Sequence, residues 1–228
     1  MSDLAHATWP DIEATDRSCL LVIPIGSVEQ HGPHLPFDTD ARIANEMAHR
    51  LATTRTDVVV APVLPYGASG EHAAFAGTLL VNHAVLAAFL IELVRSARPA
   101  FKGVAIVSGH GGNQEALAQV DQQCSVDGDQ LLTWFATTPG GDAHAGRTET
   151  SMMLAIDASV VRLNKAEAGN TRPLSELLPL LRAEGVRPVS SNGVLGDPGG
   201  ASAEEGELLL KSMAIELVAK VDERWPLA

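Results

Sequence analysis

The residues able to do chemistry in this chain are concentrated in four histidine-bearing loops. The first, GSVEQHGPHLPFDTD at residues 26–40, holds Glu29, His31, His34 and Asp40. Glu29 and His31 stand two apart, so in an extended loop their side chains project to one side. Asp40 opens the helix that follows, where a carboxylate meets the positive end of the helix dipole. Ser69 and His72 lie in YGASGEH, and His110 lies in SGHGGN. The fourth loop, PGGDAHAGRTET, carries His144 and then Glu149. Carboxylates and imidazoles without a thiolate suit zinc, manganese or iron(II) at a hydrolytic site, and not a structural zinc knot. A shared carboxylate can bridge two ions about 3.5–4 Å apart, and Asp40 is the candidate for that place. Any one of these residues alone reads as a solvated side chain; their convergence argues for metal. His34 reads as a residue that hydrogen-bonds its loop, and His6, His49 and His83 as surface residues. The GHGG turn has a competing reading as an anion-binding nest, with His110 contacting phosphate.

Convergence requires elements that deliver all four loops to one place. CLLVIPIG (19–26), VVVAPVLPYG (58–67), GVAIVSGHGGN (103–113) and QLLTWFA (130–136) each begin as a short apolar, β-branched run, which predicts buried strands. Between them, apolar spacing predicts a helix over 39–52 through Ala41, Ala44, Met47, Ala48 and Leu51. A second helix is predicted from Asn82, as its cap, to the residues before Pro99, and a third from an Asn113 cap through QEALAQVDQQC. Further helices are expected over 148–156 and 203–225. Alternating strands and helices imply a three-layer α/β/α sandwich with a mostly parallel sheet. In such sheets ligands gather beyond the C-terminal strand ends, which is where all four loops fall. Residues 164–202, with Pro173, Pro179, Pro188 and Pro198, break the alternation and read as an excursion over the surface.

Bulk properties narrow the partners. At 228 residues, with 46% hydrophobic and 19% charged side chains, the chain suits one α/β domain spanning 1–228. A formal net charge of -12 argues against unaided binding to nucleic acid or to an anionic membrane. The start of the chain lacks a basic segment followed by an apolar run, and no stretch approaches the roughly 18–20 apolar residues of a membrane span. A cytoplasmic protein is therefore expected. Cys19 and Cys124 are expected as reduced, partly buried thiols.

Three motifs carry a resemblance: Gly26 to Asp40, Gly109 to Asn113, and His144 to Ser151. In order and spacing they resemble the creatininase (creatinine amidohydrolase) family. The resemblance implies a metal-dependent amide hydrolase with two divalent ions per subunit, Fe2+ or Zn2+ with Mn2+ as a further choice. It implies Glu29 and His110 on one ion, His31 and Glu149 on the other, Asp40 as the bridge, and closed homo-oligomers. His144 would be the general acid–base, with His72 and Ser69 lining the substrate pocket. Creatininase has a Tyr-Glu pair where this chain has Gly111 and Gly112, and its Glu binds metal; Glu149 is the natural substitute. Creatininase also has a Trp where Gly140 stands. Both departures weigh against creatinine as substrate, and Ala76 replaces a Pro frequent among relatives. The stretches 66–78, 166–179 and 191–206 are similar to a subgroup of peptidases that mature a ribosomally made precursor peptide by removing its modified C-terminal Val-Tyr dipeptide. Two alternatives stand beside this: a small-molecule amidohydrolase acting on a cyclic amide or formamide, and a non-catalytic anion-binding protein.

Overall fold

Four parallel strands are laid side by side in the order β2-β1-β3-β4, comprising β1 (Leu20–Ile25), β2 (Val58–Val60), β3 (Gly103–Ser108) and β4 (Leu131–Phe135). Leu20 pairs with Val58 on one side and with Gly103 on the other, and Val104 pairs with Leu131. The structure is a computed structural model that describes residues 3–227. Residues 1, 2 and 228, the ends of the expected domain, lie outside the described residues.

The alternation of each strand divides its side chains between two cores. Leu20, Val22, Val58, Val60, Ala105 and Val107 face one layer, where they meet helices α2 (Thr39–Thr54), α5 (Arg147–Asp157) and α8 (Ala203–Arg224). Leu21, Ile23, Ile25, Val59, Val104 and Ile106 face the other, against α3 (His83–Ala97) and α4 (Gln114–Asp127). With both faces covered, every residue of β1, β2 and β3 is buried, which is why these strands read as unbroken apolar runs. The three-layer sandwich expected from the sequence is the fold observed.

Three local expectations are corrected. The second strand ends at Val60, because Pro62 and Pro65 have no N–H to give the ladder. The rest of that segment meets β1 through the Ala61 N–H, which donates to Val22 O at 2.8 Å, and through an isolated bridge of Leu64 to Ile25. Asn82 does cap α3, accepting from the Val85 N–H at 2.9 Å. Asn113, by contrast, sits at the start of α4 without capping it, and its amide is used elsewhere. The excursion over 164–202 contains two helices, α6 (Leu174–Glu184) and α7 (Val186–Val189), beside a short α1 (Trp9–Glu13) at the start of the chain. Pro179 lies inside α6, so a rule that stops helices at proline hides it.

The edge of the sheet away from the loops is pinned by charge. Arg55 is only 1% exposed, and its guanidinium forks onto Asp57 at 3.0 and 2.8 Å while also donating to Asp222 of α8. Lys102 completes the cluster at 2.6 Å from Asp57. Truncating a buried charge that satisfies two partners costs about 3 kcal/mol. For Arg55→Ala we expect thermal unfolding lower by roughly 6–12 °C with unchanged activity of the folded protein, measured by calorimetry and turnover. An unaltered midpoint would show that the pairing contributes nothing to stability.

Candidate metal centre

Each strand hands one loop to the C-terminal edge, and the backbones there approach one another closely. A Cβ on Gly26 would overlap Ala41 and the Asp40 carbonyl carbon, and one on Gly109 would overlap the Asp40 main chain. These two glycines let the N-terminus of α2 press onto the ends of β1 and β3, which carries Asp40 into the floor of the site. Asn113 fastens three loops at once. Its Oδ1 accepts from Ala68 N at 2.9 Å, and its Nδ2 donates to Gly26 O at 3.1 Å and lies 3.4 Å from Ser108 Oγ. His83 adds a further prop at 3.1 Å from the Gly112 carbonyl.

Asp40 is the centre of what this frame assembles. Its Oδ1 lies 2.9 Å from His31 Nε2, and its Oδ2 lies 3.0 Å from His110 Nδ1 and accepts from Ser27 Oγ at 2.7 Å. Glu149 Oε2 approaches His31 Nε2 at 3.8 Å and accepts from the Ala145 N–H at 2.6 Å. Ala145 takes a left-handed φ of 52° between His144 and Gly146, a conformation that costs a non-glycine residue energy and recurs at functional sites. On the other side Glu29 is wholly buried. Its Oε2 is 3.2 Å from His110 Nε2, and its Oε1 is 3.2 Å from His72 Nε2 and 3.8 Å from His144 Nδ1. None of these contacts is oriented as a hydrogen bond, so both Glu29 oxygens are unpartnered among the described residues.

The electrostatics follow from packing three carboxylates into one buried space. Burial raises Glu29 to about 7 against the pull of His110, and it raises Glu149 to about 7 against His31. Burial would raise Asp40 too, but His31 and His110 hold it well below the usual carboxylate range. Desolvation works to lower His31 and His110; Asp40 and Glu149 for the first, and Glu29 and Asp40 for the second, overcome it and lift each to about 10. His72 is pushed down to about 3 and His144 well below its ordinary value, mainly by burial. A buried, unpartnered carboxylate costs several kcal/mol unless a cation meets it. Glu29 is therefore the observation that fits metal.

Glu29, His31, Asp40, His110 and Glu149 thus come together, with Asp40 between the two imidazoles expected on separate ions. Three sets of donor atoms converge within 4.8 Å: Glu29, His31 and Asp40; His31, His144 and Glu149; and Glu29, His72 and His144. His110 joins none of these sets, because its ring spans the gap and turns one nitrogen to Asp40 and the other to Glu29. His72 and Ser69 are both buried beside the cluster, Ser69 Oγ lying 3.5 Å from His110 Nε2. His34 departs from its expectation: its Nε2 bonds Thr150 of α5 at 2.9 Å instead of its own loop. The anion-nest reading of GHGG fares poorly, since His110 already faces two carboxylates and Glu71 lies 3.9 Å away. Sequence reasoning passed over Ser27, Gln30 and Glu71. Ser27 and Gln30 lie within the first motif, but a hydroxyl and an amide do not announce chemistry.

A parallel α/β sandwich with buried carboxylates and imidazoles at its C-terminal edge gives the frame of a hydrolytic metal site. The chain belongs to the creatininase family: the family model described as "Creatininase: Creatinine amidohydrolase" matches residues 5–221. A mycofactocin precursor peptide peptidase of Mycobacterium ulcerans (strain Agy99) is 43% identical over 227 residues, covering 96% of this chain and 87% of that protein. The creatinine amidohydrolase of Pseudomonas putida is 28% identical over 259 residues, covering 98% and 97%. A solved structure described as "Creatininase Mn" superposes with a TM-score of 0.81 at 24% identity, each chain covered in full (100%). The family is metal-dependent, and the groups that could hold metal here are those just described. Among the described residues no helix is long and apolar enough to cross a membrane.

Replacing either central carboxylate tests the cluster. Glu29→Ala and Asp40→Ala are expected to fold, as judged by circular dichroism, but to retain less than about a tenth of the parent's bound metal by elemental analysis. Parental metal content in both variants would remove these residues from the centre.

Proposed function

We propose that this chain is a metal-dependent peptidase that removes the modified C-terminal Val-Tyr dipeptide from the mycofactocin precursor peptide. One observation carries the choice of a peptide substrate. The excursion in which the sequence is similar to the peptidase subgroup forms a wall of the site itself. Leu195 accepts from His144 N at 3.2 Å and donates to His144 O at 2.9 Å, and Gly193 O accepts from the Gln30 side chain at 3.1 Å. The segment similar to the peptidases therefore sets the pocket beside the reacting groups. Identity of 43% to a precursor peptide peptidase, against 28% to a creatinine amidohydrolase, supports the same choice. The small-molecule alternative lacks a comparable observation.

In this reading Glu29 and His110 hold one divalent ion and His31 and Glu149 the other, with Asp40 shared; Fe2+ or Zn2+ is favoured and Mn2+ is compatible with the same donors. Such ions, when bound, polarise the scissile carbonyl and acidify a water. His144 supplies the proton traffic. Its Nδ1, aimed into the site toward Glu29, takes a proton from the attacking water and returns it to the amide nitrogen as the C–N bond breaks. His72 and Ser69 orient the C-terminal part of the peptide. Assembly into a closed homo-oligomer and a cytoplasmic location belong to the same proposal. Exposed Leu79, Val85 and Phe89 offer apolar surface that such an assembly could bury.

Mass spectrometry of the modified precursor peptide, before and after exposure to metal-loaded protein, tests the reaction. The expected product is the peptide shortened by Val-Tyr, with creatinine unchanged in a parallel incubation. An intact peptide beside full metal loading would overturn the proposal. His144→Ala should keep its metal and lose roughly 10²–10⁴-fold in kcat; parental kinetics would remove it from the mechanism.

A further inference from the structure

Gln30 lies between two of the proposed metal-binding residues in sequence, yet its side chain turns toward His72 and His144. The amide's orientation is fixed by two main-chain groups. The Gly32 N–H, which can only donate, lies 2.8 Å from Oε1, and the Gly193 carbonyl, which can only accept, lies 3.1 Å from Nε2. The nitrogen end therefore has two protons to place, and Gly193 takes one.

The second proton has two candidate acceptors, His72 Nδ1 at 2.9 Å and His144 Nε2 at 3.1 Å. His144 Nε2 is also 2.8 Å from the main-chain carbonyl of Gln30. That carbonyl can only accept, so His144 Nε2 carries a proton and cannot receive another. The amide proton goes to His72 Nδ1, which must then be bare, and a ring bare at Nδ1 carries its proton on Nε2. Both rings are thus the same tautomer but are gripped by opposite nitrogens. His144 is held at Nε2 and shows a bare Nδ1 to the site. His72 is held at Nδ1 and shows an Nε2–H. The two exposed nitrogens lie 3.8 and 3.2 Å from Glu29 Oε1, neither oriented as a hydrogen bond to it, and the ring centroids are 4.5 Å apart.

We infer that Gln30 is a positioning residue that makes His144 a fixed proton acceptor and His72 a fixed hydrogen-bond donor on the same wall of the pocket. The assignment rests on the reading of His144 as the acid–base. It adds that His72 keeps its proton throughout and donates a hydrogen bond to the oxygen that gains charge as water adds. The proton that moves is the water's, passing to His144 Nδ1 and then to the leaving nitrogen. Gly193 is the other half of the device. A Cβ there would overlap the Gln30 amide, and its φ of 83° lies in the left-handed region that favours glycine.

The test is long-range proton–nitrogen correlation NMR of histidine-labelled protein loaded with diamagnetic Zn2+, alongside kinetics on the modified precursor peptide. In the parent, His72 and His144 should both report Nε2–H with bare Nδ1. A His72 protonated at Nδ1 would overturn the inference whatever the kinetics show. In Gln30→Glu the carboxylate cannot donate and instead accepts, so the proton of His72 should move from Nε2 to Nδ1 while His144, held by main chain, keeps its pattern. The lost donor should lower kcat about 10²-fold with KM within a few-fold. Parental His72 signals and parental kcat in that variant would also overturn it. Gly193→Ala, which keeps the amide but displaces it, should shift the His72 signals and lower kcat; no change in either would count against the device. Should His144→Ala keep parental rate while the parent's tautomers are as assigned, the acid–base reading fails and the hydrogen-bond assignment stands.

Discussion

Three carboxylates, Glu29, Asp40 and Glu149, are brought into one enclosed space, and most of the surrounding structure answers that constraint. Like charges a few ångströms apart, out of water, repel too strongly to persist unless something positive lies between them. Asp40 is answered by His31 and His110, one on each oxygen. Glu149 is answered by a main-chain N–H held in place by a strained residue. Glu29 has neighbouring imidazoles but no hydrogen bond. This unevenness sets the site apart from a structural ion-pair network and suits it to hold a cation. The Arg55–Asp57–Lys102 cluster at the opposite edge has none of it, because there cations already meet the carboxylate oxygens.

Holding the carboxylates so close depends on backbone as much as on charge. The first turn of α2 can reach the strand ends only because Gly26 and Gly109 carry no side chain. Asn113 then ties the loops after β1, β2 and β3 together through one amide. Glycine also shapes the space beside His110. A Cβ at Gly112 would lie 2.6 Å from Glu71 Oε1. Room beside His110 is thus shared by Glu71 instead of being filled from the GHGG turn. The acid that completes the cluster comes from α5, on the far side of the sheet from α3 and α4.

The layers of the fold were legible because buried parallel strands and amphipathic helices write regular patterns. The ligand-type residues were legible because four loops ended four apolar runs. What stayed hidden has physical reasons. The excursion's helices α6 and α7 were masked by prolines that rules of local propensity treat as stops. Asn113 has the composition of a helix cap, and only tertiary packing reveals that its amide is needed by three loops. His34 reaches Thr150, 116 positions along the chain, a contact that no local spacing predicts. Gln30 is the clearest case: its neighbours Glu29 and His31 draw attention as ligands, while the amide between them acts through geometry that a sequence does not contain.

These hidden residues share a role, which bears on how substrate choice is built. Residues that could bind metal come from all four loops, His72 from the second among them, and carboxylates and imidazoles of this kind serve hydrolysis of many sorts. The excursion contributes no candidate ligand. Its contacts with the site include Gly193 with the Gln30 amide, Leu195 with the His144 main chain, Val194 against Gly32 and Arg187 with the Ala74 carbonyl. On the proposed reading, a change in the excursion reaches the reacting groups through contacts such as the Gln30 amide and the backbone paired with His144, without altering the proposed metal donors. A fold arranged this way can keep its hydrolytic centre while the segment beside it is rebuilt for another substrate. On the proposed reading, specificity and catalysis meet at Gln30.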